Sequence, residues 1–164
     1  MDERDLIHDW NQLEPTFYWA TARVELDHKT LRDGPQNPSV VDPSIEDKIR
    51  LLHMMDQLGL DTADIGLPGA GPRAVKAVTA LEQEIVDSGL SIRPNAAART
   101  VVADVRPIVA ISQRVGMPIE VCSFIGSSPI RQYAEDWTID KMVATSDAAA
   151  SSSSRSVPCR GSPM

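Results

Sequence analysis

The sequence predicts an α/β fold of about four strand–helix units, followed by a disordered C-terminal tail. Short apolar runs of strand character alternate with longer runs whose apolar residues recur at helical spacing. Glycines and prolines stand at the junctions between these runs. The last residues, 148–164, contain four consecutive serines and two prolines, a composition that does not bury enough apolar surface to fold.

The elements are predicted in strict alternation along the chain. The strand-like runs are 23–27, 62–68, 90–99 and 117–128. The helical patterns lie at 44–58, at 72–88, at about 105–115, and from about residue 138 onward. Ser44 is expected to cap the first helix, and Pro72 and Pro107 are expected in the first turns of the second and third helices.

Connections of this length favour parallel strands joined by right-handed crossovers. From the residues alone, two architectures remain open. One is a small doubly wound sheet, and the other is half of an eight-stranded barrel.

Composition restricts the functional classes. The chain has 164 residues, the size of one domain, and a net charge of −7, which argues against nucleic-acid binding through a basic face. No apolar run is long enough to span a membrane, and the N-terminus has no secretory pattern. Cys122 and Cys159 are expected to be free thiols, so the cytoplasm is the expected location.

Polar residues gather where the predicted strands end, which is where parallel α/β folds place their functional groups. Arg32 and Asp33 follow the first strand, Asp64 lies in the second, Arg99 ends the third, and Ser127 follows the fourth. A carboxylate beside a guanidinium suits a hard divalent cation together with an anionic substrate. The alternative is an ordinary surface ion pair that fixes a loop.

Four motifs occur in order: TLRDGPQ (30–36), DTADIGLP (61–68), AAART (96–100) and FIGSSPI (124–130). Together they closely resemble the strand signatures of the 2-isopropylmalate synthase and homocitrate synthase family, barrel metalloenzymes related to hydroxymethylglutaryl-CoA lyase. The resemblance covers about 23–147. It implies half of a pyruvate-carboxyltransferase-like TIM barrel, preceded by an N-terminal extension (1–22) and followed by the serine-rich tail (148–164).

The resemblance also implies an activity. Members of the family condense acetyl-CoA with a 2-oxo acid in a metal-dependent Claisen reaction, in leucine biosynthesis among other routes. Carried onto this chain, Asp33 would bind the divalent metal (Mg²⁺, Mn²⁺ or Zn²⁺) and Arg32 would stabilise an anionic oxygen. The expected substrate contacts are Gln36, Asp64, Arg99 and Ser127.

The sequence departs from the family pattern at several positions. Pro35 and Asp64 replace glutamates, and Cys122 and Arg131 stand where related synthases often have histidine. The chain has three histidines, His8, His28 and His53, and no H-x-H pair to complete a metal site. The position of His28 matches no family ligand, and His53 is expected to be structural or solvated.

We therefore expect a truncated and catalytically incomplete acyltransferase, whose open sheet edges could pair in a homodimer. A lyase of the same superfamily, a non-catalytic half-barrel remnant and an interaction module are the alternatives.

Overall fold

A computed structural model of the chain describes residues 24–154. Four parallel strands form one sheet in the order β1-β2-β3-β4, which is also their order along the chain. The strands are β1 (Asp27–His28), β2 (Thr62–Asp64), β3 (Arg93–Arg99) and β4 (Glu120–Phe124). A doubly wound sheet would reverse its strand order, so the sequential order confirms the partial barrel.

In the described part of the chain, five α-helices accompany the strands: α1 (Ile45–Gln57), α2 (Pro72–Ser88), α3 (Val102–Val115), α4 (Pro129–Glu135) and α5 (Ile139–Ser154). Each of the helices α1, α2, α3 and α5 packs against the next in this series, as expected when every crossover has the same hand. None of the helices within residues 24–154 combines the length and the apolar composition that a bilayer crossing needs.

The predicted helix ends agree with the observed ones for α1 and α2. The Ser44 hydroxyl accepts a hydrogen bond from the Asp47 N–H at 3.1 Å, which caps α1. Pro72 opens α2, and Gly89 ends it in the left-handed region at φ 62°.

The core lies between the sheet and the helices. Alanines on β2 and β3, among them Ala63, Ala96 and Ala98, are fully buried against the helices. The large buried side chains that cover them are Leu52, Val78, Leu81, Ile85, Val105, Ile108 and Ile111. Small residues on the strands let the helix side chains pack closely against this face of the sheet. The opposite face of the sheet carries the polar groups.

Pro107 contradicts its prediction. It lies inside α3 and not in the first turn, because the helix begins at Val102, three residues before the predicted start. Asp104 explains the early start, since its carboxylate accepts the Arg99 backbone N–H at 3.2 Å and fixes the first turn. The missing N–H of Pro107 therefore leaves one carbonyl of the preceding turn without its helical partner.

The region after β4 also differs from the sequence prediction. β4 ends at Phe124, four residues before the predicted end of the strand, and α4 occupies residues that the sequence analysis left as loop between the fourth strand and the last helix. The Ser128 hydroxyl caps α4 by accepting the Arg131 N–H at 3.3 Å, and Pro129 is its first residue. A Ser-Pro pair is a recognised helix start, so the sequence did contain the signal.

The predicted tail begins at residue 148, but α5 continues to Ser154. Alanine is the strongest helix former, and Ala149 is almost fully buried in the core, which accounts for the extension. The remainder of the predicted tail and the N-terminal extension lie outside the described residues. β1 is also shorter than predicted and begins at Asp27, where the prediction ended.

Candidate functional site

The loop after β1 places Arg32 and Asp33 at the carboxyl edge of the sheet. Two backbone bonds form the turn, from the Asp33 N–H to the Lys29 carbonyl at 2.8 Å and from the Gly34 N–H to the Thr30 carbonyl at 3.2 Å. Leu31 is buried and anchors the turn in the core. The Arg32 guanidinium and the Asp33 carboxylate form an ion pair at the end of this turn.

Arg32 reaches across the sheet toward β4. Its guanidinium carbon lies 5.3 Å from the ring centroid of Phe124, within the range of a cation–π contact. The side chain is 18% exposed, and its Nε atom is buried without a hydrogen-bond partner among the described residues. The ring restricts the guanidinium, so its charge is held in one place above the strand ends.

Asp64 lies beneath this edge on β2, and its side chain is 1% exposed. Burial raises the pKa of this carboxyl group, while the Gly66 N–H and the charges of Lys29 and Arg32 work in the opposite direction. The Gly66 N–H donates to Oδ1 at 3.3 Å, and the Lys29 ammonium lies 3.7 Å from Oδ2. Asp64 therefore carries a buried carboxyl group between two basic side chains.

A polar network on the same sheet face joins three strands around Asp27. One carboxylate oxygen of Asp27 accepts the Thr62 hydroxyl at 2.8 Å and the Asn95 amide at 2.7 Å. The other lies 3.0 Å from the Lys29 ammonium. Burial would raise the pKa of Asp27, but the hydrogen bonds from Lys29, Thr62 and Asn95 outweigh it and lower that pKa. We call these four residues the Asp27 network.

Arg99 is directed away from this cluster. Its Nε and Nη2 atoms donate to Asp104 at 2.7 and 3.0 Å, and the hydrogen bond raises the pKa of Arg99. The guanidinium is thus already paired at the start of α3. Its role as a substrate contact stays a prediction.

Gln36 and Ser127 lie at the same edge in different settings. Gln36 ends a short 3-10 turn, and it lines a cavity together with Arg32. The Ser127 carbonyl accepts the side-chain amide of Gln132 at 2.8 Å, which ties the loop to α4. The structure brings Arg32, Asp33 and Gln36 together on one loop with Asp64 beneath them.

Cys122 and two histidines have ordinary environments. Burial raises the pKa of the half-buried Cys122 thiol, so the group stays protonated near neutral pH. His53 lies 2.8 Å from Glu84 on the neighbouring helix, and His28 Nδ1 accepts the Thr30 N–H at 3.3 Å. Both histidines make contacts within the chain, which for His53 agrees with the sequence prediction, whereas His8 and Cys159 lie outside the described residues.

The site does not by itself fit a divalent metal. Residues 24–154 contain no group of three or more His, Cys, Asp or Glu side chains that could hold a metal ion. Asp33 is half exposed and paired with Arg32, so it offers one carboxylate where such sites need several protein ligands or substrate oxygens. The role of Asp33 as a metal ligand stays a prediction, and no chemical step below is routed through a metal.

Sequence reasoning did not identify Asp27, Lys29, Asn95 or Phe124 as part of the site. Asp27 and Lys29 flank His28 directly before the first motif, a spacing that places two side chains on the same face of a strand. That signal could have been used. Phe124 carried no signal, because an aromatic residue that ends a strand is normally read as core.

Curated relatives support the family resemblance. Over 66 residues the chain is 36% identical to a probable 2-isopropylmalate synthase of Methanopyrus kandleri, a match to 40% of this chain and 13% of the relative. It is 30% identical over 102 residues to homocitrate synthase 1 of a Nostoc species, covering 60% of this chain and 25% of that protein. A 2-isopropylmalate synthase of Nitrosomonas eutropha is 31% identical over 112 residues, 66% of this chain and 20% of the relative.

The chain thus spans at most about a quarter of the length of these curated relatives. No family model matches the sequence.

Proposed function

We propose that this chain, which is similar in sequence to the 2-isopropylmalate synthases and homocitrate synthases, carries the 2-oxo acid half of an acyltransferase site. Arg32 is the residue that contacts the substrate. Its guanidinium would bind the carboxylate or keto oxygen of the 2-oxo acid and stabilise the negative charge that develops there. The observation that carries this proposal is the position of Arg32 above the strand ends, stacked on Phe124 with an unpartnered Nε.

The reaction sets what the site must do. The methyl carbon of acetyl-CoA gives up a proton and forms a bond to the keto carbon of the oxo acid. The keto oxygen takes up a proton and becomes a hydroxyl group, and water then cleaves the thioester to release the thiol. Arg32 acts on the oxygen that carries negative charge before it is protonated, where a preorganised cation is most effective.

Asp64 and Asp33 complete the described part of this site. Asp33 holds the Arg32 guanidinium from one side, which limits the orientations that it can adopt. Asp64 offers a buried carboxyl group beneath it, and burial raises the pKa of that group. The Gly66 N–H, which donates to Oδ1, and the Lys29 ammonium, 3.7 Å from Oδ2, fix the position of this group.

We expect substrate binding without turnover by this chain alone. The sequence has no H-x-H pair, and the described residues hold no three-ligand metal group. The chain should therefore bind a 2-oxo acid through Arg32 but should not release thiol from acetyl-CoA. A non-catalytic binding module makes the same thiol prediction but requires no dependence on Arg32.

Two measurements test the proposal. The first is calorimetric titration of the chain with pyruvate, 2-oxoisovalerate and 2-oxoglutarate, with and without Mg²⁺ or Mn²⁺. The Arg32→Gln variant should lose at least about tenfold in affinity. Arg93→Gln is the matched control, because Arg93 is a half-exposed arginine of β3 that pairs with Glu25. The second is a thiol-release assay with acetyl-CoA and the same acids.

The outcomes separate the possibilities. Equal binding to the wild type and to Arg32→Gln, or no saturable binding of any oxo acid, would overturn the role of Arg32. Arg32-dependent thiol release above background would show that the site is catalytically complete, contrary to the proposal.

A further inference from the structure

A cavity of about 490 Å³ lies next to the candidate site, on the helix side of the carboxyl edge. Its wall consists of the loop between β1 and α1, the residues after β2, and the first turns of α2. Arg32 and Gln36 form the part of the wall that adjoins the oxo acid site. The volume is typical of a small-molecule pocket.

The charges that line this cavity are strongly unequal. Four basic side chains line it, Arg32, Lys48, Arg73 and Lys76, against the single lining acid Asp42; because Arg32 is paired with Asp33, the excess positive charge comes from the other three. The chain as a whole carries a net charge of −7, so the cavity is a local positive region on an acidic protein. A concave site lined by one sign of charge concentrates ligands of the opposite sign.

Asp42 holds two of these basic side chains in position, but its single negative charge does not neutralise both of them. It lies 2.6 Å from the Lys48 ammonium and 2.8 Å from the Arg73 guanidinium. Lys48 is about nine-tenths buried, so its charge is held in a fixed position at the cavity wall. One carboxylate shared between two cations leaves an excess of positive charge, which a bound anion would compensate.

The backbone at the start of α2 adds donors to the same cavity. The first intrahelical bond runs from the Val75 N–H to the Gly71 carbonyl at 3.1 Å, so the N–H groups of Arg73 and Ala74 precede the helical ladder. Arg73 and Ala74 both line the cavity. Gly71 has φ 127°, a conformation that requires glycine and sets the direction in which the helix begins.

We propose that this cavity binds a ligand that carries phosphate groups. Two arginine guanidinium groups supply planar paired donors, two lysines supply point charges, and the helix start supplies N–H groups, the combination that recognises a phosphate or diphosphate. The proposal stands apart from the acyltransferase function, although the diphosphate of coenzyme A is one source of such a ligand. A free diphosphate or a nucleotide is the other.

Calorimetric titration with three probes tests the site and its source. The probes are inorganic pyrophosphate, coenzyme A and pantetheine, which shares the thiol arm of coenzyme A but has no phosphate. We expect saturable binding of pyrophosphate and coenzyme A that weakens as salt is raised, and no binding of pantetheine. Tighter binding of coenzyme A than of pyrophosphate would identify the cofactor as the source, and equal binding would identify the free anion.

Variants locate the binding. Arg73→Ala combined with Lys76→Ala should weaken binding of pyrophosphate by about tenfold or more, since both side chains are exposed and their removal spares the core. Arg50→Ala is the matched control, because Arg50 is an equally exposed helix arginine paired with Asp47 outside the cavity. Binding that survives in the double variant, or the absence of saturable binding by both phosphate probes, would overturn the proposal.

The same variants keep this proposal distinct from the proposed function. The Arg73→Ala, Lys76→Ala chain should still bind a 2-oxo acid, because Arg32 is unchanged. Pyrophosphate binding without oxo acid binding would remove the proposed function and leave the phosphate site standing. Oxo acid binding without pyrophosphate binding would give the reverse conclusion.

Discussion

Arg99 and Asp104 form a two-bond ion pair across the turn between β3 and α3, with Nε–Oδ2 at 2.7 Å and Nη2–Oδ1 at 3.0 Å. The Asp104 side chain is 5% exposed, whereas the Arg99 side chain is largely in solvent. The same carboxylate also accepts the Arg99 backbone N–H. Asp104 therefore joins the end of β3 to the first turn of α3.

Replacing Asp104 with asparagine should lower the free energy of unfolding by about 1–2 kcal/mol at neutral pH. The hydrogen bond from Arg99 lowers the pKa of Asp104, so the ionised carboxylate stabilises the folded state. This contribution is present above the unfolded-state pKa, 3.8, and is lost as the pH falls through the lower folded-state pKa. Urea unfolding of both proteins across the acid range measures the difference.

The matched control is Asp87→Asn, at an exposed position on α2 where the carboxylate accepts the Gln83 amide at 2.8 Å. It should change stability little. A stability difference between Asp104→Asn and the wild type that is the same at neutral and strongly acidic pH would contradict the assignment.

Gly69 should not tolerate alanine. A Cβ at Gly69 would lie 2.6 Å from the Cγ of Asp104, inside van der Waals contact with a side chain that its bonds hold in place. We expect Gly69→Ala to cost about 1–3 kcal/mol in the free energy of unfolding.

Gly34→Ala serves as the control, since its Cβ would meet the Thr30 methyl carbon at an ordinary 3.6 Å. In the Asp104→Ala background the cost of Gly69→Ala should largely disappear. Additive effects of the two substitutions would show that the strain lies elsewhere.

The buried carboxyl group of Glu82 should make the free energy of unfolding fall as the pH rises from mildly acidic to neutral. It is fully buried on α2, its carboxylate oxygens have no hydrogen-bond partner among the described residues, and burial raises its pKa to about 7. The folded state therefore holds a proton that the unfolded state releases, so stability should fall between pH 4.5 and about 7 and then level off. The total loss should be on the order of 3 kcal/mol.

Glu82→Gln should abolish this part of the pH dependence and be more stable than the wild type above neutral pH. The control is Glu84→Gln on the same helix, because Glu84 is partly exposed, bonds to His53 and Ser88, and has a lowered pKa. Thermal unfolding of the three proteins as a function of pH makes the comparison. A wild type with flat stability between mildly acidic and mildly alkaline pH would argue against a buried, titrating Glu82.

The edges of the two outer strands, β1 and β4, which are unpaired among the described residues, should make the chain associate with itself. Within residues 24–154, β1 and β4 each pair with one neighbour, and an unpaired strand edge favours pairing with another chain. Exposed large hydrophobic side chains stand at the end of β4 and after it: Phe124, Ile130, Tyr133, Ile139 and Val143. We expect sedimentation velocity to show association that increases with protein concentration.

Ile139→Lys should shift this association toward the monomer, because a charge on the apolar surface opposes its burial. Leu58→Lys places the same charge on an exposed leucine just beyond α1 and should have no effect. A chain that sediments as a monomer at every concentration would refute the prediction.

The sequence predicted the sheet, the parallel connections and the ends of α1 and α2 because those features depend on local signals. Ser44, Pro72 and Gly89 act on their own helix termini, and alternating elements imply parallel strands. Pro107 was placed wrongly because the start of α3 depends on the contact between Asp104 and the end of β3. The spacing of apolar residues along the helix does not predict that contact.

The candidate site was only partly predictable. The motif that contains Arg32 and Asp33 marked a loop that the structure places at the carboxyl edge of the sheet, where strand ends collect functional groups in such folds. The pairing of Arg99 with Asp104 could not be predicted from the sequence. The direction of the Arg99 side chain depends on where the following helix, α3, places Asp104. The buried positions of Asp64 and Asn95 also depend on which sheet face the helices cover.

The Asp27 network has a consequence for engineering. β1 is two residues long, and few backbone bonds hold it to β2. Its alignment therefore depends on the Asp27 carboxylate, which accepts hydrogen bonds from side chains on β2 and β3. Replacing Asp27 would loosen the segment that carries Arg32. Affinity for the 2-oxo acid would then fall because Arg32 is misplaced, although Arg32 itself is unchanged.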